Sequence, residues 1–141
     1  MSANAKIFTC KTIADGSVSG PALVSSEPIC FYLVEPDTGI VVESDHMLYG
    51  KSTAGTVLVA HAGKGSSVVQ MDGMYKIKVR GKGPVGVILR NPDPVFVSAL
   101  LVMEIPSVYD VEESFYDYIA DKDGAKISID TSKGLISVEE S

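Results

Sequence analysis

The sequence predicts a mixed α/β domain, and three observations carry that prediction. Short aliphatic and β-branched runs recur along the chain, KIFTCKTI at 6–13, TVLVAHA at 56–62 and PVGVILR at 84–90. After each of the last two comes a segment with a helix-start residue and buried-helix character, Ser66 before SVVQMDGMY and Asn91-Pro92-Asp93-Pro94 before VFVSALLVME. The closing AKISIDTSKGLISVEE reads as two strands around Ser132-Lys133-Gly134. Strands joined through helices are expected to lie parallel, so the central part of the sheet should be parallel and its last part antiparallel.

Taken in order, KIFTCKTI alternates like a strand, and Ala14-Asp15-Gly16-Ser17 is a hairpin turn into SVSGPALVS. Pro21 inside that second run predicts an edge strand or a bulge. ICFYLV at 29–34 reads as a short buried strand, and Glu35-Pro36-Asp37-Thr38-Gly39 as a turn. A polar loop, ESDHMLYGKSTAG, then leads to TVLVAHA, an interior strand. Val68, Met71, Met74 or Tyr75, and Lys78 fall at helical spacing. Because Gly73 interrupts them and YKIKV alternates, the helix is expected to stop near residue 75. PVGVILR is a strand, and the next helix ends before Pro106. SVYDV is a brief strand, and EESFYDYIADKDG has room for one or two helical turns.

With 141 residues the chain is expected to form one domain, 1–141, with a single sizeable core. Apolar residues at 45% and charged residues at 21% favour a compact fold over disorder. A net charge of −6 argues against nucleic acid, whose backbone demands a basic face. No apolar run approaches a membrane span and no signal-peptide core is present, so a soluble, cytoplasmic chain with no membrane partner is expected. Cys10 and Cys30 lack metal or redox spacing and read as buried thiols, and His46 and His61 stand apart, so no metal site is expected.

Two glycine-rich stretches invite a chemical reading. Gly50-Lys51-Ser52 resembles the tail of a phosphate-binding loop, but Asp45 stands where its first glycine is required. Gly63-Lys64-Gly65-Ser66-Ser67 is better placed, between a strand end and a helix start. There, free backbone N–H groups and the helix dipole favour an anion, Lys64 adds a positive charge, and a serine could exchange a proton. A plain glycine turn capped by serine fits the same residues. The basic run Lys76, Lys78, Arg80, Lys82 and Arg90, and the acidic block 104–123, read as solvated faces, with docking of a charged partner as the alternative. No Ser-His-Asp or Cys-His set assembles from two scattered histidines, which suggests a subunit whose partner brings the missing parts.

Three separated blocks carry a resemblance to a known family. They are ADGSVSGPALVSSEPICF, EPDTGIVVESDHMLYGKSTAGTVLVAHAGKGSS and GPVGVILRNPDPVFVSALLVMEIPSV, in that order along nearly the whole chain. The sequence resembles the small component of the aconitase X family of hydro-lyases. That resemblance implies a swivelling β/β/α fold, a mixed central sheet with flanking short helices, like the mobile domain of aconitase. It implies a large aconitase-like subunit as partner, holding an iron or iron–sulfur centre, with no cofactor in this chain and no activity without the partner. It makes Ser66 the catalytic proton acceptor, with Ser67 as the alternative, and gives Gly63, Lys64, Gly65 and Ser67 to substrate binding. The substrate implied is a small anionic hydroxy acid, mevalonate 5-phosphate of isoprenoid biosynthesis, with cis-3-hydroxy-L-proline as the alternative. The segments 30–34 and 68–71 depart from the family pattern, which leaves open a non-catalytic regulatory module on the same fold. A phosphocarrier domain would require His61 in an exposed glycine-rich loop, whereas it sits at a strand end.

Overall fold

The computed structural model describes residues 4–140. Its strands are β1 (Ala5–Thr9), β2 (Lys11–Ala14), β3 (Ser17–Val24), β4 (Val57–Ala60), β5 (Gly86–Leu89), β6 (Ser107–Tyr109), β7 (Lys126–Asp130) and β8 (Leu135–Glu139). They form one sheet in the order β1-β8-β7-β3-β4-β5-β6-β2. The run β3-β4-β5-β6 is parallel, as the helical crossovers require, and β3-β7-β8-β1 is antiparallel. Strands β1 and β2 occupy opposite ends of this order, yet only Cys10 separates them in sequence. The sheet must therefore curl until its two end strands approach each other at that residue.

The curl creates two cores. Inside it, Phe8, Val57, Val59, Ile88, Val108, Ile127, Ile129, Ile136 and Val138 meet from strands all round the sheet. Helix α3 (Ser114–Ile119) adds Phe115 and Ile119 to this core, with the Phe115 ring edge-on to Phe8 at 5.2 Å. Outside the parallel half, α1 (Ser67–Val79) and α2 (Pro94–Val102) cover Leu58, Ala60, Val87 and Leu89 with Met74, Ile77, Phe96 and Leu100. Strands β4 and β5 are buried on both faces, which is why VLVA and GVIL are continuous apolar runs without alternation. Each fully buried aliphatic or aromatic side chain here contributes about 1.5–3 kcal/mol.

Four expectations about local structure are corrected. The run 6–13 is two strands, and β3 pairs with β7 and β4 rather than folding back as a hairpin on its predecessor. Pro21 lies in an interior strand; pairing with β4 begins only at Ala22, so its missing N–H interrupts no ladder bond. ICFYLV is not a strand but a loop with one 3-10 turn at Phe31–Leu33, whose ladder pairing is limited to the isolated bridges Ile29–Gly63 and Val34–Val41. Finally, α1 continues to Val79. Gly73 does not end it but lets it approach the 3-10 turn, where a Cβ would stand 2.5 Å from the Phe31 carbonyl carbon. Among the described residues no helix is long and apolar enough to cross a membrane.

Candidate functional site

The carboxyl ends of parallel strands are where an α/β sheet offers a ligand its loops and helix starts. At the end of β4 the backbone enters the turn 62–66, held by three hydrogen bonds from two segments. Ile29 N–H reaches the Ala62 carbonyl at 3.0 Å, and Lys64 N–H returns to the Ile29 carbonyl at 3.0 Å. Asp93, which caps α2 through Phe96 N–H at 2.9 Å, also accepts from Gly63 N–H at 3.2 Å. Gly63 must be glycine, because a Cβ there would lie 2.5 Å from Gln70 Nε2 and 3.0 Å from Phe96 Cδ2. Gly65 adopts φ +107°, a conformation that side chains resist.

Ser66 follows as the N-cap of α1, extended at φ −72° and ψ 166°, with Oγ accepting from Val69 N–H at 3.3 Å. It is exposed, as are Lys64, Gly65 and Ser67. No acidic side chain stands in the first turn of α1, so its positive end is not neutralised locally. Lys64 Nζ forms an ion pair with the Glu43 carboxylate, a contact between segments 21 residues apart. That hydrogen bond raises the lysine above its ordinary pKa and keeps it cationic. An exposed hydroxyl, unpaired helix N–H groups and one cation together suit a small anion whose neighbouring atom exchanges a proton.

The loop opposite the turn is ordered by His46, a residue for which the sequence showed no partner. Its Nε2 faces the Pro28 carbonyl at 2.9 Å and its Nδ1 accepts from Leu48 N–H at 3.0 Å, a pattern that suits the neutral ring. Glu27 ties the same loop through Met47 N–H at 2.7 Å. Glu43, Gln70, Asp93 and His46 are thus the site-supporting residues that sequence reasoning missed. Only Asp93 left a signal, as a helix cap.

The other candidate features resolve into structure. Lys51 pairs with Asp123 at 2.9 Å and Ser52 Oγ donates to the Thr38 carbonyl at 2.9 Å, so 50–52 is a structural turn. Lys76 pairs with Asp72 at 2.9 Å, Arg80 with Asp37 at 3.0 Å, and Lys78 bonds the Met103 carbonyl. Arg90 pairs with Glu113 and lies 4.3 Å over the Tyr116 ring. Those two aromatic and basic residues border a cavity of about 400 Å³ beside the carboxyl end of β4, together with Val24, Ser26, His61 and Ile119. Burial pushes the Tyr116 hydroxyl up to about 12.

A family model described as the aconitase X swivel domain matches residues 7–138. The chain belongs to the aconitase X swivel-domain family. Among its relatives, the phosphomevalonate dehydratase small subunit of Methanosarcina acetivorans is 40% identical over 129 residues, covering 91% of this chain and 88% of that one. The crystal structure of Thermococcus kodakaraensis aconitase X in its holo-form superposes with a TM-score of 0.83 at 28% identity, over 96% of this chain and 99% of that chain. A solution NMR structure of a UPF0107 protein gives 0.82 at 31% identity, over 96% and 100%. The swivelling α/β fold expected from the sequence is therefore the one observed. Within this aconitase X swivel domain, the glycine turn and the Ser66 cap lie at the carboxyl end of β4, beside the Ile29 and Asp93 segments.

Proposed function

We propose that this chain is the small subunit of a heteromeric aconitase X-type hydro-lyase that dehydrates mevalonate 5-phosphate, with residues 1–141 acting as one swivelling domain. The observation that carries the proposal is the exposed Ser66 hydroxyl at the start of α1, flanked by the Lys64 cation and the first-turn N–H groups. In the dehydration, a proton leaves the carbon next to the substrate carboxylate while hydroxyl departs from the adjacent carbon. Ser66 Oγ takes that proton. Lys64 and the N–H groups following Gly65 bind the carboxylate, whose charge grows as the proton leaves, so their pull is strongest in the transition state. A free serine is a weak base at neutral pH, and the same positive groups lower the cost of its alkoxide. Gly65 lets the backbone approach the anion closely, Gly63 holds the turn against Gln70 and Phe96 behind it, and Ser67 presents its exposed hydroxyl and N–H to the same anion. Glu43 holds Lys64 in the absence of substrate and yields it to the substrate anion.

An iron or iron–sulfur centre belongs, in this reading, to the large aconitase-like subunit. Among the described residues no three His, Cys, Asp or Glu side chains converge to hold a metal ion. The names of the relatives, each a phosphomevalonate dehydratase small subunit, support both the partner and the substrate. Reconstitution with the large subunit tests the reading. The complex should dehydrate mevalonate 5-phosphate in preference to cis-3-hydroxy-L-proline, and the isolated chain should be silent. Preferential turnover of the proline would reassign the substrate, and a fully active Ser66→Ala complex would remove Ser66 as the base.

A further inference from the structure

Gln70 lies on the second turn of α1, 1% exposed, in one of the segments where the chain departs from the family pattern. Both ends of its side-chain amide have a partner. Oε1 accepts from Phe31 N–H at 2.8 Å, and Nε2 donates to the Ile29 carbonyl at 3.2 Å. The reverse orientation would set donor against donor and acceptor against acceptor, so these partners fix it. The Ile29 carbonyl is shared, for it also takes Lys64 N–H at 3.0 Å. Nε2 also lies against Gly63, where a Cβ would be 2.5 Å away. Along the helix, Gln70 N–H closes on the Ser66 carbonyl at 3.0 Å. One amide therefore connects the 29–31 segment, the glycine turn and the helix that carries Ser66.

We propose that Gln70 is a positioning residue for this site: its amide sets the spacing between the 29–31 segment and the turn 63–66, and so aims the Ser66 hydroxyl and the neighbouring N–H groups. The proposal rests on the reading of Ser66 as the proton acceptor. Filling the space with an apolar side chain would leave Phe31 N–H buried without a partner and let the segment relax. A reacting group displaced by about 1 Å loses on the order of 10²-fold in rate.

The test uses the complex with its large subunit and two variants. Gln70→Met keeps the bulk and removes both hydrogen bonds; kcat on mevalonate 5-phosphate should fall about 10²-fold while KM stays within about threefold. Gln70→Glu distinguishes positioning from packing. When protonated, its carbonyl oxygen accepts from Phe31 and its O–H donates to Ile29, reproducing the amide. When ionised, it has no donor for Ile29. Its activity relative to the unsubstituted complex should therefore be near normal at low pH and fall as the buried carboxyl ionises. The titratable neighbours on the packed segments are Cys30, His61, Lys64 with Glu43, and Asp93. All are common to both proteins and cancel in that ratio.

Hydrogen exchange on the full chain reads the same contact without turnover. In Gln70→Met, the Phe31 and Lys64 amides should exchange at least about tenfold faster while the β7–β8 ladder is unchanged. Unaltered kcat in Gln70→Met, a pH-independent Gln70→Glu ratio, or retained protection of those two amides would each overturn the proposal. If the unsubstituted complex turns over nothing, the dehydratase reading has failed, and the exchange result alone decides whether Gln70 holds the turn.

Discussion

The two halves of the curled sheet use their backbones differently. In the antiparallel half, β7 and β8 pair from Ile127–Val138 to Asp130–Leu135, and the connecting turn closes on itself through Lys133 N–H to Asp130 and Gly134 N–H to Thr131. The strands there are joined by a continuous ladder and a short turn. In the parallel half, β4 leaves the sheet through a glycine turn into α1, and the first turn of any helix has N–H groups with no carbonyl to receive them. In the proposed reading, anion chemistry falls to the parallel half, while the antiparallel half closes the core.

Substitutions can break this comparison. The largest effect is expected for Ser66→Ala, with kcat of the complex falling about 10²–10⁴-fold, the span of a lost proton acceptor. The loss of its cap bond should cost only about 1 kcal/mol in the melting of the chain. Next comes Ile129→Ala in the antiparallel half, buried at 1% exposure, which should destabilise by about 2–5 kcal/mol in denaturant unfolding. Its kcat below the melting range should be unchanged; a parallel loss of kcat would mean that the halves are not separable.

A glycine pair sharpens the contrast. Gly63→Ala drives a Cβ into Gln70 and Phe96 and should cost about 1–3 kcal/mol together with most of the activity. Gly124→Ala, where a Cβ meets nothing within 4 Å but φ is +88°, should cost about 1 kcal/mol and leave kcat alone. A smaller effect is expected for Glu43→Gln, which releases Lys64. KM for the anionic substrate should drop about two- to fivefold at constant kcat, since only ground-state competition is removed. The smallest is a pH effect at Tyr116. Burial raises its folded pKa from 10.0 to about 12, so the neutral form is favoured in the folded chain. Stability linked to it is complete below pH 10 and is lost as pH rises towards 12. Tyr116→Phe should flatten that alkaline limb in melting temperature against pH.

Much of the parallel half was legible because its signals are local. VLVA and GVIL are buried runs, and Ser66 and Asp93 are caps one turn from the N–H groups they satisfy; in the antiparallel half only the alternation of KISID and LISVE, which marks a hairpin, was as plain. The 29–34 segment was misread because its apolar residues are buried by neighbours distant in the chain. Phe31 packs edge-on to Phe96 at 5.3 Å and takes its N–H partner from Gln70. Gly73 misled in the same way, since it serves a close approach to Phe31 rather than a helix end.

The sequence by itself determined the order of elements from β4 onward, the crossovers that make the central strands parallel, and the placing of a serine cap after a glycine turn. Each depends on periodicity or chemistry within a few residues. Only the tertiary structure decided that β1 and β2 part at Cys10 to close the sheet, that Glu43 meets Lys64, and that Asp93, Ile29 and Gln70 converge on the turn. Such contacts join segments that share no local pattern, and their geometry exists only once both cores have packed around them.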